Sequence, residues 1–197
     1  MALLLSVLEQ GMIYGILALG VYITYKILDF PDLTVDGSFP FGAAITVRLI
    51  NGFGVPAILT LPIAFLGGAL VGICTGLIHV KLKVRDLLSG IIMMTGLYTI
   101  NLWVAGSGYV AIFDKDNIFN NSFVNSITPG FLVNFKNVII IFLITMVAKY
   151  LLDWYMSTKS GFLLRAVGDN DTIVTSLGVD KGLVKIVGLS IANEIGR

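Results

Sequence analysis

Apolar residues in this chain run in long blocks separated by short polar interruptions. A helix crossing a hydrocarbon core ~30 Å thick needs about 20 mostly apolar residues at ~1.5 Å each. The first such block is 11–28, GMIYGILALGVYITYKIL, which MALLLSVLEQ can extend upstream. That start has no basic region, carries Glu9 ahead of the main apolar run and shows no small-residue cleavage site. It therefore predicts a retained helix rather than a signal peptide. The second apolar region, 38–81, is broken by Arg48, by NGFG at 51–54 and by Pro56 and Pro62. It predicts a short helix over 39–50, a break, and a full span over 56–80. Further spans are predicted over 87–106 (LLSGIIMMTGLYTINLWVAG) and 138–156 (VIIIFLITMVAKYLLDWYM), the latter ending in Trp154 and Tyr155, which suit a membrane interface. GLVKIVGLSIAN at 182–193 starts another helix that is too short to cross. Between the apolar blocks, 107–136 carries Asp114, Lys115, Asp116, four Asn from 117 to 125, and Pro129, and predicts a surface loop. The fold class is all-α, a polytopic transmembrane bundle forming a single domain over 1–197.

Composition agrees with this reading and removes several alternatives. Hydrophobic residues make up 56% of the chain, charged residues only 13%, and mean hydropathy is +0.93, whereas a soluble domain carries about 25% charged residues. A net charge of +1 gives no footing for nucleic acid. Cys74 and His79 are the sole cysteine and histidine, which excludes a Cys-based zinc site and a His cluster, and Cys74 reads as a small packing residue. The run GGALVGICTG at 67–76 predicts close helix packing, and Thr95, Tyr98, Thr99 and Asn101 could line a polar path but read rather as polar glue between helices. Lys149 and Asp153 are spaced for an i,i+4 pair, and Arg48 reads as reaching an interface. Lys81, Lys83 and Arg85 mark one basic turn, and Lys159, Arg165 and Lys181 another. Two spans separate them, so both fall on one side, which the positive-inside rule makes cytoplasmic.

Two polar segments stand out as functional candidates. In GFLLRAVGDNDTIVTSLGVDKG, 161–182, Asp169 or Asn170 can cap a two-turn helix over 171–177, and Gly178 suits its left-handed end. Ile173, Val174 and Leu177 would share one face, with Thr172, Thr175 and Ser176 elsewhere. Such an amphipathic helix either rests on lipid headgroups as a connector or docks in a partner's groove. In DFPDLTVDGSF, 29–39, Asp29, Asp32 and Asp36 crowd beside a span, with Pro31 and Gly37 blocking a continuous helix. This is either a solvated surface loop or a broken helix in which Asp32, Thr34, Asp36 and Gly37 line or gate a polar path.

The pattern GFLLRAVGDN, with six residues before LGV, resembles the cytoplasmic coupling loop of bacterial ABC-importer permeases for branched-chain amino acids, ribose and nucleosides. GMIYGILALGVYITYKILDFPDLTVDGSFPFGAA resembles their first helix and the segment after it, and the likeness spans nearly all of 10–192. Within that family it looks most like an amino-acid subgroup tied to tryptophan or tyrosine uptake. The short helix read over 39–50 is a half-helix of the bundle, and the resemblance implies a cytoplasmic coupling helix, residues 169–178, docking in an ATPase cleft. Arg165 and Gly168 would shape its approach, and Asp169, Asn170, Ile173, Val174, Leu177 and Gly178 would build it. It further implies an ABC ATPase subunit, an extracytoplasmic substrate-binding protein, a second permease subunit and surrounding lipid as partners, in a bacterial inner membrane. No catalytic residue, cofactor or metal is expected, and no G-x-x-x-x-G-K-[ST] phosphate loop is present, which leaves ATP hydrolysis to another chain. The family's permeases continue well past the coupling loop, whereas this chain ends SIANEIGR, so it reads as a truncated permease rather than a naturally compact one. The rival readings are a non-transporting fragment and an ATPase-independent transporter or channel.

Overall fold

A computed structural model of the chain describes residues 2–106 and 135–195, and among these every regular element is a helix. The polar loop expected at 107–136 lies, apart from its last two residues, outside the described residues. Helix α1, Ala2–Tyr22, runs directly into a π-helical turn, Ile23–Ile27. Then follow α2 (Thr34–Phe53), α3 (Ala57–Leu82), α4 (Asp86–Ala105) and α5 (Lys136–Met156). Three shorter helices complete the described chain: α6 (Lys159–Asp169), α7 (Asp171–Ser176) and α8 (Lys181–Ile195). Four stretches, Leu3–Ile27, α3, α4 and α5, are long and apolar enough to cross a membrane. The chain is a multi-pass membrane protein. Its outer faces expose large apolar side chains such as Leu66, Trp103 and Trp154, as a lipid solvent permits. Cys74 is among the exposed residues of α3, so it does not fill the packing role expected of it.

Helix α2 departs from the short 39–50 helix expected. It begins at Thr34, spans 20 residues and carries Pro40 inside it. The cause is local. Asp32 Oδ1 accepts the Thr34 N–H at 2.8 Å, a side-chain turn that satisfies a donor at the helix start and so moves that start upstream. Gly37, read as a helix breaker, is there for packing: a Cβ would come 3.2 Å from Met94 Cα on α4. The helix ends at Gly54, whose φ of 64° is left-handed and whose N–H reaches Leu49 O. Although long enough at ~1.5 Å per residue, α2 is not among the four spans, and it carries Asp36 and Arg48.

The most extensive helix pair is α3 with α8, and the small-residue run makes it possible. A Cβ on Gly72 would overlap Leu189 O, and one on Gly76 would come within 2.8 Å of Ile186 Cγ1. Ser190 Oγ donates to Ala69 O at 3.3 Å across the same seam. Helix α2 packs on both α3 and α4, while α1 packs on α5 and α8. A buried apolar cluster, including Ile23, Leu28, Phe30, Leu152, Leu164, Val174 and Leu189, forms where the π-turn, the end of α5, α6, α7 and α8 converge. The basic turn after α3 and the basic start of α8 border one cleft, so the two basic loops do share one end of the bundle.

Candidate functional site

The site begins where α1 stops being an α-helix. In the π-turn, Leu28 N–H reaches Ile23 O at 2.9 Å, and Phe30 N–H reaches Thr24 O at 2.8 Å. Asp29 then takes a positive φ of 50°, uncommon outside glycine but tolerated by Asp, and turns the chain inward. Asp32 consequently enters the bundle and is 1% exposed. Its Oδ1 accepts from Thr34 N, and its Oδ2 accepts from Asn193 Nδ2 at 3.1 Å. Asn193, on α8, gives its other amide hydrogen to Leu189 O at 3.0 Å. The Thr34 hydroxyl lies 3.1 Å from that of Thr75 on α3, which in turn lies 3.1 Å from Val71 O. On α4, Gly90 leaves room for this connection: a Cβ there would sit 2.9 Å from Leu33 N and 3.2 Å from Asp32 Oδ1. One carboxylate thus clasps the α1–α2 connection to α8, with α3 and α4 closing around it. Burial pushes the Asp32 carboxyl above its ordinary range, while the donors from Thr34 and Asn193 pull it back.

The three aspartates have separate fates. Asp32 and Thr34 are buried, whereas Asp29 and Asp36 are exposed. A solvated surface loop therefore does not describe Asp32. Gly37 is buried against α4, where Asn101 Nδ2 donates to its carbonyl at 3.2 Å, so Asn101 does act as glue between helices. Asn193 was missed as a site residue. Its signal was an amide directly after the largely apolar run GLSIA, visible in sequence but without a partner to assign.

The second half of the site is the segment after α5. Residues expected to be a lead-in form a helix, α6, with Thr158 Oγ1 accepting the Gly161 N–H at 3.3 Å as its cap. Its inner face is Gly161, Leu164 and Val167. Gly168 sits against the π-turn so closely that a Cβ would overlap Ile27 O. Capping of α7 falls to Asn170, whose Oδ1 accepts from Thr172 N at 3.1 Å and from the Thr172 hydroxyl. Asp169 instead ends α6 and is exposed, as is Arg165. Gly178 has φ 77°, the expected left-handed exit. Val174 is fully buried but Leu177 is 72% exposed, so the two do not share a face as expected. The helix stops at Ser176, and the turn to Gly178 swings Leu177 outward. The side chain of Ile173 lies outside the described residues. Arg165, Asp169, Asn170, Thr172 and Leu177 together leave a mixed polar and apolar outer face above a tightly seated inner one.

Residues 3–192 match the family described as the permease component of the branched-chain amino acid transport system. The chain belongs to that permease family. Among relatives, the tyrosine transport system permease protein of Clostridioides difficile (strain R20291) is 41% identical over 193 residues, covering 98% of this permease and 61% of that protein. The probable branched-chain amino acid transport permease LivH of Methanocaldococcus jannaschii is 28% identical, covering 88% of this chain and 58% of its own length. The ribose import permease RbsC of Haemophilus influenzae (strain ATCC 51907) is 24% identical, with 96% and 56% covered. The permease therefore spans less than two thirds of the length of these relatives. No solved structure matches it significantly.

Proposed function

We propose that this permease chain is the membrane-spanning subunit of an ATP-driven importer, forming part of the translocation path for an amino acid. The observation that carries the proposal is the seating of α6 and α7. Their inner face is locked on the end of α1 through Gly168 and Ile27, while their outer face is exposed. A rigid element of this kind passes force on: displacing α6 displaces Ile27 and Leu28, and through Asp32 the connection drags α2 against α8. An ATPase subunit bound to the outer face of 169–178 would supply that displacement, with Arg165 at its edge. In this reading Asp32, Thr34 and Gly37 form the hinge of a gate, and Asp36 is its exposed member. A substrate-binding protein delivers solute on the opposite side, and a second permease subunit completes the pore. The amino-acid assignment is supported by the similarity to the tyrosine and branched-chain amino acid permeases.

The test is a complex of the full chain with its ATPase and binding protein, reconstituted in lipid. Gly168→Ala, which forces a methyl group into Ile27 O, and Asp169→Ala should each lower substrate-stimulated ATP hydrolysis at least tenfold while membrane insertion is unchanged. Undiminished stimulation in both variants would reject the coupling role. Failure of the wild-type chain to retain any ATPase subunit would favour an ATPase-independent transporter.

A further inference from the structure

A cleft of about 500 Å³ opens between the turn after α3 and the first turns of α8. Four cationic side chains border it: Lys83 and Arg85 from the turn, Lys181 and Lys185 from α8. Its two acids are already engaged. Asp180 Oδ1 caps α8 by accepting the Gly182 N–H at 2.8 Å. Asp86 Oδ1 lies 3.1 Å from His79 Nδ1, which is also 2.9 Å from Val84 O. Two acceptors facing Nδ1 place the hydrogen there, and Nε2 then faces Lys185 Nζ at 3.5 Å. This chain from Asp86 through His79 orients Lys185, which Asp29 and Asp169 border in the adjoining pocket, so the cleft's positive surplus is that of Lys83 and Arg85 on the turn.

The surroundings say what kind of anion fits. Leu82 and Leu87 flank the basic turn, Leu183 follows Lys181, and all three are exposed large apolar side chains. Lys83 and Arg85 therefore sit between the ends of two membrane-crossing helices, α3 and α4, with exposed leucines beside the turn in the chain. A soluble anion has no use for those leucines, whereas a phospholipid places its phosphate among the cations and its acyl chains along them.

We propose that this cleft is a binding site for the headgroup of an anionic phospholipid of the leaflet on the side of the basic turns. The proposal depends on membrane residence and not on the transport reading, so either can fail alone. The bound lipid would wedge the α3–α4 turn against α8, beside the α3–α8 seam.

The experiment titrates the detergent-solubilised full chain with acyl-labelled phosphatidylglycerol, with phosphatidylcholine and inorganic phosphate as competitors. Phosphatidylglycerol should bind, and neither competitor should displace it. The double variant Lys83→Asn, Arg85→Gln should bind it about thirty-fold more weakly. Asn is chosen because residue 83 has φ 54°, a conformation Asn tolerates. The charge-keeping pair Lys83→Arg, Arg85→Lys and the distant Lys149→Gln should bind like wild type. Displacement by phosphate would overturn the lipid assignment in favour of a free-anion site, and displacement by phosphatidylcholine would overturn headgroup recognition. Unchanged binding in the double variant would remove the cleft from consideration. If that variant instead loses an ATPase subunit while keeping lipid, the cleft is a protein dock. Should the double variant fail to fold, the competition on wild type and the charge-keeping pair still decide the matter.

Discussion

Asp32 keeps a carboxylate inside the bundle with two N–H donors and, among the described residues, no cation paired to it. Removing one partner of a buried bond strands the other, at about 1–3 kcal/mol. Asp32→Ala should therefore lower unfolding stability in detergent by about that amount, because Asn193 Nδ2 and Thr34 N both lose their acceptor. Asn193→Asp should cost more, since it opposes two carboxylates. The swap Asp32→Asn with Asn193→Asp should recover part of the loss, and a purely additive double variant would argue against a direct bond. A pH dependence follows from the same group. A carboxyl raised in the folded state takes up more protons folded than unfolded between its ordinary value, 3.8, and its raised one. Stability should fall as pH rises through that window in wild type, and Asp32→Asn should flatten the slope. None of this was legible locally. Asp29, Asp32 and Asp36 look alike in DFPDLTVDGSF, and only Asn193, far along the chain, distinguishes one of them. Cys74 misled for a related reason, since an apolar neighbourhood in sequence does not say which helix face meets protein and which meets lipid, and Leu177 misled because its helix stops one residue short of it.

At the level of elements, glycines divide by what a methyl group would meet. Gly72 stands where a Cβ would overlap the backbone of α8, while Gly11 and Gly15 on α1 have nothing within 4 Å. Gly72→Ala should destabilise the chain by about 1–3 kcal/mol as α3 and α8 separate. Gly11→Ala should stabilise it by up to about 1 kcal/mol through helix propensity. Thermal unfolding of both variants checks the contrast, and equal effects would contradict the α3–α8 seam. That seam was readable from the small residues at 67–76, because close approach of two helices needs small side chains whatever the partner. The spans α3, α4 and α5 were readable because length and apolarity suffice for them. The true start of α2 was not readable because Pro31 and Gly37 look like breakers in sequence, whereas the Asp32 side chain that starts the helix shows only in the fold. The same local weighting missed α6, although Leu164 and Val167, three apart, already shared a face.

Over the whole molecule, the basic turns gather at one end, which the Lys and Arg count anticipated because insertion machinery acts on charge rather than on tertiary contacts. In a Cys74→Ala background, Lys83→Cys and Ser157→Cys should react with an impermeant thiol reagent from the cytoplasmic face, and Asn51→Cys, at the far end of α2, from the opposite face. Labelling of all three from one side would refute this arrangement. The clasp between Asp32 and Asn193 has a consequence in time as well as in space, because its partners stand 161 residues apart. At a synthesis rate of about 5–20 residues per second, the aspartate leaves the ribosome roughly 8–32 s before its amide does. For that interval the first helices must wait in the bilayer with their carboxylate unfastened. The pace of translation thus sets how long the nascent chain is exposed to quality control before the connection closes.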